Sequence, residues 1–427
     1  MLWLLTPKFI TVFVFTAAIG LAIFFDNWKN KLVWASVVIL FLSGSLTVRQ
    51  AANSVEFDVL LLYVGMLFIG EVLMYSKVPD YIATHLASKM KTAEMAMLMM
   101  CVVTGFLSMF IMNIAVILIL APVALSICKK CRIDPVPLFI GMVLVTNLEG
   151  TATLIGDPPS MLLGIFDHLR FTDFIVFEGK PGIFFAAQAG MLSSLPILYL
   201  FFRKYDHKMP AIEPEGYKSL APVAIVISLI LALAVSSSAS RQIPHQTGLI
   251  CLFFGILSYL WYRRASKDRD IAGFMRRLDW HTGFFLAGVL ILVGSLTASG
   301  VVEDISAAII KGSGTSPFNT YLLVVSLSLL ASAFILNIPY IAFMIPVTDM
   351  VGWQVALDNH ALLFGLLLSG SLGGNITPIG ASANIVAIGI LKEHGHDCKF
   401  MDFIKIGLPY TLVAAMASCG FIWLMFS

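Results

Sequence analysis

Four carboxylates stand in sequence that is otherwise apolar: Glu71, Glu149, Asp157 and Asp349. A charged carboxylate at the centre of a bilayer costs at least about 2.5–3.5 kcal/mol, so each such group must be neutralised, paired or put to use. Glu149 and Asp157 flank a polar, glycine-rich phrase, Leu148-Glu149-Gly150-Thr151-Ala152-Thr153-Leu154-Ile155-Gly156. Asp157 precedes Pro158-Pro159, which cannot continue a backbone hydrogen-bond ladder. Its carboxylate can take up a proton or cation, or it can cap the helix that follows. Glu149 has no capping role to fill. Both are read as proton- or ion-coupling groups, whereas Glu71 and Asp349 are placed nearer the surface, where water solvates them.

The phrase returns 224 residues later as Leu372-Gly373-Gly374-Asn375-Ile376-Thr377-Pro378-Ile379-Gly380, and Gly70 with Gly294, Asp80 with Asp304, Asn113 with Asn337 and Pro122 with Pro346 keep the same spacing. The chain is therefore two copies of one half, 1–203 and 219–427, joined by a cytoplasmic linker over 204–218. Gly and Pro breaks at corresponding places in two apolar halves point to a transporter's binding site. A helix broken inside the membrane offers N–H groups at one new end and C=O groups at the other, which suit an anion and a cation respectively. Asn113 and Asn337 add an amide each, able to contact a polar substrate or to cap backbone. Thr153 and Thr377 bring a hydroxyl to each break, with Thr151 and Asn375 as second polar groups. Such side chains bond either a ligand or their own backbone.

The elements that hold these residues are membrane spans. Of 427 residues 59% are hydrophobic and only 12% charged, against about 25% charged in a soluble domain. A net charge of +2 without any long Lys/Arg run gives no nucleic-acid surface. Apolar runs mark spans at 9–25, 32–48, 57–75, 137–166 and 183–202, then 219–236, 246–263, 280–299, 360–391 and 404–426. The first is read as a retained helix, because no small-residue cleavage signature follows it. Between the third and fourth span of each half lies a stretch, 95–127 or 320–350, too long for one crossing and too short for two, since two need about 40 residues plus a turn. A re-entrant hairpin fits the length if its tip is buried.

With the N-terminus outside and both stretches re-entrant, the positive-inside rule is obeyed. Only Lys8, Arg49, Arg170, Lys180, Arg241 and Lys311 stay outside, with Lys405 at a boundary, and the other twenty of 27 Lys and Arg residues fall in cytoplasmic segments. Five spans per half then invert the second copy relative to the first. The expected architecture is an all-α polytopic membrane protein of two inverted repeats, each of five transmembrane helices plus one re-entrant hairpin, with broken helices at the midplane. Both termini lie outside a plasma membrane, the inner membrane in a bacterium.

Six cysteines form no disulfide framework in so long a chain. Cys128-Lys129-Lys130-Cys131 and His394-Gly395-His396-Asp397-Cys398 have metal-like spacings, but nothing in the sequence joins them and no metal site or cofactor is expected. The absence of a GxxxxGK[ST] phosphate loop excludes ATP-driven transport by this chain alone and leaves a separate soluble ATPase partner open.

Residues Thr146 to Ser160 resemble the TNxGGTATLIGDPPN signature of the ion transporter superfamily, and Gly373 to Asn384 resemble its second signature. The likeness is to the branch of ArsB-type arsenite permeases, NhaD-like sodium/proton antiporters, the melanosomal P protein and plant silicon efflux carriers, with divalent anion/sodium symporters more distant. The resemblance implies substrate contacts at Asn113, Asn147, Gly150, Thr151, Thr153 and Gly156, and at Asn337, Gly374, Asn375, Thr377 and Gly380. It also implies elevator-type alternating access, often in a homodimer. Departures are Met112 and Leu336 where many members carry Asp, Glu149 for a usual Gly, and Ser160 for a usual Asn. The expected function is secondary transport of a small inorganic ion or oxyanion, arsenite-permease-like, coupled to H+ or Na+. A sodium/proton antiporter and an ion channel are the alternatives, and no enzyme motif accompanies the carboxylates.

Overall fold

A computed structural model describes residues 6–25, 28–206, 208, 216–237, 244–266, 270–314, 316–355 and 358–427. Most of the linker over 204–218 lies outside the described residues, as do Arg241, Lys267 and Arg269 of the charge distribution. The first half folds as α1 (Pro7–Phe24), α2 (Lys29–Leu42), α3 (Val48–Ser54), α4 (Phe57–Ser76), α5 (Val78–Ser88), α6 (Ala93–Ser108), α7 (Asn113–Cys131), α8 (Val136–Glu149), α9 (Pro158–Phe166) and α10 (Ile183–Phe202). The second folds as α11 (Ala221–Ser237), α12 (Gln246–Ala265), α13 (Ile271–Arg277), α14 (Trp280–Ala298), α15 (Val301–Ser313), α16 (Pro317–Ser332), α17 (Asn337–Val355), α18 (Asn359–Gly373), α19 (Ser382–Glu393) and α20 (Phe400–Phe426). A two-stranded hairpin, β1 (Val176–Phe177) with β2 (Lys180–Pro181), precedes α10. Helices α4, α7, α10, α14 and α20 are each long and apolar enough to cross a membrane, and the chain is an integral membrane protein.

Helix starts in the two halves repeat at the spacing seen in the sequence: Asn113 and Asn337 open α7 and α17, and Pro158 and Ser382 open α9 and α19. The awkward apolar stretches resolve into helix, break and helix, α6 with α7 and α16 with α17. The span expected over 32–48 is shorter than its apolar run. Helix α2 stops at Leu42, where Gly44 takes a φ of 71°, and Thr47 with Gln50 forms a capping box that starts α3 anew.

The halves interlock. A Cβ on Gly65 of α4 would lie 2.7 Å from the Leu252 nitrogen of α12, and one on Gly255 of α12 would lie 2.8 Å from the Gly65 carbonyl oxygen. Only glycine lets these backbones approach so closely. Lys8 pairs with Asp304, and His360 faces both Asp358 (2.8 Å) and Asp167 (3.4 Å). Asp349 is not simply solvated, because its Oδ1 accepts from Asn359 at 2.8 Å.

Asp167 sits on the loop after α9. Burial pushes its carboxyl up to about 6; His360 and His168 pull it down, and Asp349 and Asp358 push it further up. An unfolded Asp titrates near about 3.9, so between about pH 4 and 6 the folded protein binds the extra proton. Stability from this group is present below that window and is lost as pH rises through it. The melting temperature of the purified protein in detergent should therefore fall more steeply from acid to neutral pH than that of Asp167→Asn. Parallel curves for the two proteins would contradict the assignment.

Candidate functional site

The two repeated phrases end α8 and α18 and break the chain before α9 and α19. At each break a threonine leaves its own helix and donates to the facing tip: Thr153 Oγ1 to the Met109 carbonyl between α6 and α7, and Thr377 Oγ1 to the Ala333 carbonyl between α16 and α17. The glycines close the same joint. A Cβ on Gly156 would run into the Gly150 carbonyl and approach the Ser108 oxygen at 3.0 Å, and one on Gly380 would meet Gly374 at 2.7–2.8 Å and the Ser332 oxygen at 3.0 Å. Ser160 Oγ lies 3.2 Å from the Gly150 carbonyl, and Asn384 Nδ2 donates to the Gly374 carbonyl at 2.8 Å. Neither Ser160 nor Asn384 is among the expected site residues. Their 224-residue spacing was the signal that could have found them.

A chain of amides joins the halves. Ser108 Oγ donates to Asn113 Oδ1 (2.7 Å), Asn113 Nδ2 to Asn147 Oδ1 (3.4 Å), and Asn147 Nδ2 to Asn375 Oδ1 (2.8 Å) and Asn384 Oδ1 (3.0 Å). Asn375 Nδ2 goes on to the Leu144 carbonyl at 2.9 Å. Gly150 lets Asn113 approach, since a Cβ there would lie 2.5 Å from Asn113 Oδ1. Thr151 turns back to its own helix, donating to the Leu148 carbonyl at 2.6 Å.

Between these elements lies a cavity of about 40 Å³ whose polar lining is Asn113, Asn147, Asp157, Thr282, Asn337 and Ser382. By the same measure one ordered water needs about 10–15 Å³, so the space admits about three. Five helices present their first turns to it: α7 at Asn113, α9 at Pro158, α14 at Thr282, α17 at Asn337 and α19 at Ser382. The starts of α7 and α19 carry no side-chain cap. That of α9 is closed by Asp157, whose Oδ1 accepts from the Ser160 amide (3.0 Å) and hydroxyl (2.6 Å). Asp157 Oδ2 is buried without a hydrogen-bond partner. Of the expected residues, Asn113, Asn147, Asp157 and Asn337 line the cavity, while Gly150, Thr151, Thr153, Gly156, Gly374, Asn375, Thr377 and Gly380 lie outside its lining, in the breaks behind it.

Glu149 lies elsewhere. Two residues from Asn147 on one helix, it points about 200° away from it, and it is fully buried. Gln188 of α10 donates to its Oε2, Gly105 of α6 backs its side chain, and its Oε1 has no hydrogen-bond partner. The cysteine and histidine loops do share one end of the molecule. Burial pushes the Cys398 thiol up to about 11, and Asp134, beside Cys131, is among the carboxylates that add to it. Among the described residues, however, no group of three His, Cys, Asp or Glu side chains converges as a metal site.

The fold and the site together define a membrane transporter. The chain belongs to the CitMHS citrate transporter family, whose family model matches residues 1–358. An uncharacterized transporter of Mycobacterium tuberculosis is 28% identical over 383 residues, 87% of each chain, and a 46 kDa membrane protein of Mycobacterium leprae is 26% identical over 430 residues, 98% of each. The P protein of Sus scrofa, a member of the branch the signature resembles, is 27% identical over 452 residues, 87% of this chain and 53% of its own. The crystal structure of the Alcanivorax borkumensis YdaH transporter has the same fold, with a TM-score of 0.59 at 13% identity over 88% of this chain and 86% of that one.

The amide chain sets a ranking. Asn147→Ala leaves two buried acceptors, Asn375 Oδ1 and Asn384 Oδ1, without their donor at about 1–3 kcal/mol each. Thr151→Ala removes only a bond within its own helix, worth about 0.5–1.5 kcal/mol. Thermal unfolding in detergent should place Asn147→Ala clearly below Thr151→Ala, and the reverse order would contradict the network.

Proposed function

We propose that the chain is a secondary transporter of a small inorganic anion or its oxyacid, coupled to H+ or Na+, with both halves contributing to one central site. The observation that carries this reading is the pair of uncapped helix starts, α7 from the first half and α19 from the second, on the wall of one cavity. Unpaired N–H groups at helix starts favour anions. The cavity is too small as it stands for a tricarboxylate such as citrate, whereas an ion of a few atoms fits. Asp157, with one oxygen capping α9 and the other free, is the group that takes up the coupling proton or sodium. Its presence in the cavity also favours a second reading, sodium/proton exchange with no anion. Glu149, buried on the far side of α8, is a separate proton-binding group.

Re-entrant hairpins and inverted halves are supported by which groups meet. Lys8 with Asp304, Asp167 with His360, Glu71 with Arg277, and Ser76 with Lys218 each share one face of the membrane in that arrangement. Were both awkward stretches single crossings, every one of these pairs would join opposite faces. The tip between α6 and α7 meets α8 at Thr146, eleven residues or about 16 Å along a helix that starts at Val136, which fits a hairpin that stops at mid-depth. Movement of the hairpin-bearing part against the rest, as in an elevator, would then expose the cavity to each side in turn.

Purified protein in liposomes should show saturable flux of arsenite, silicate or another small oxyanion, stimulated by an imposed pH or sodium gradient. Asp157→Asn should reduce that stimulation at least about tenfold, the equivalent of ~1.4 kcal/mol, and Glu149→Gln should shift the pH dependence. Flux of citrate with the small ions inert would contradict the small-anion reading, and sodium/proton exchange alone would establish the second one.

A further inference from the structure

We propose that the Glu71–Arg277 ion pair is an anion-selecting gate on a route between the cytoplasmic face and the central cavity, an inference that rests on the small-anion reading above. A second cavity of about 80 Å³ adjoins the first, and Met112 and Ile114 line both. Its wall carries Glu71 and Gly70 of α4, Ala115 of α7, Arg277 at the end of α13, and Asp279 at the cap of α14. Arg277 is 46% exposed and Glu71 only 13%, so the guanidinium occupies the mouth and the carboxylate stands behind it.

The guanidinium is held from several sides. Nε donates to Glu71 Oε1 at 2.6 Å and Nη2 to the Tyr262 hydroxyl at 2.7 Å, and the group lies 5.7 Å from the Tyr262 ring centre and 5.9 Å from that of Phe274. Beyond it, Asp279 accepts from the Thr282 amide (3.1 Å) and hydroxyl (2.7 Å), and Thr282 lines the central cavity. Polar groups thus run from the mouth inward. An ion entering meets Arg277 first, ahead of Glu71 and Asp279, and an anion competes with Glu71 for the guanidinium. The pair bridges the halves, since α4 belongs to the first and α13 to the second. The positions 224 residues away, Ser295 and Asn53, carry no charge, so this gate exists at one mouth only.

The test labels Ala115→Cys in oriented membrane vesicles with the anionic sulfonatoethyl and the cationic trimethylammonioethyl methanethiosulfonate, corrected for each reagent's rate with a free thiol and for wild-type background. Labelling should come from the face that carries Arg263 to Arg277 and should favour the anionic reagent. Arg277→Gln should lower the anionic-to-cationic ratio about tenfold, the lower end of electrostatic steering. Arg277→Lys should restore it and Glu71→Gln should raise it. An unchanged ratio in Arg277→Gln, labelling from the other face, or no labelling would overturn the gate. These rates do not depend on transport, so a failed flux panel and a failed gate are separate results.

Discussion

Four helices are interrupted inside apolar surroundings, and the backbone groups so freed have to be satisfied within the protein. The joints that do this are the contacts on which the remaining architecture depends. Thr153 reaches the Met109 carbonyl and Thr377 the Ala333 carbonyl, while Gly156 and Gly380 let the broken strands of chain close on Gly150 and Gly374. Each joint locks a broken helix to the tip of a helix pair, and it fixes where the helix starts point. Once the tips and breaks are fastened together, the first turns of α7, α9, α17 and α19 have no choice but to face one small space.

Positions 224 residues apart supply matching parts of the two breaks, and they differ where a carboxylate stands. Asp157 closes the start of α9, and the corresponding position before α19 is Ala381, which leaves that start uncapped. Ser160 and Asn384 approach the carbonyls of Gly150 and Gly374 with a hydroxyl and an amide, and the amide oxygen also accepts from Asn147. Glu149 faces a glycine in the other copy, Gly373. The two carboxylates at the first break, Glu149 and Asp157, thus have no acidic counterpart at the second.

The helix breaks were legible in the sequence, because Gly and Pro interruptions of apolar runs are local signals, and Asp157 before two prolines announced its cap. What could not be read were partners distant in the chain. Nothing near Glu149 names Gln188, nothing near Glu71 names Arg277, and the sequence left Glu71 and Asp349 as solvated groups although both are bonded. Thr282 was missed for a different reason: the Asp279 to Thr282 cap is an ordinary helix start, and only packing brings it to the cavity. Of the polar groups in the two phrases, Thr153 and Thr377 donate across the joints, whereas Thr151 bonds its own helix.

In the proposed function the starts of α7 and α19 hold an anion between the two halves. Anomalous diffraction at the arsenic or selenium edge, from crystals grown with arsenite or selenate, would locate it. One anomalous peak is expected between Asn113 and Ser382, beside Asp157 and within hydrogen-bonding distance of the first turns of both helices. A peak at any other place, with that cavity left empty in a protein that still transports the ion, would contradict it.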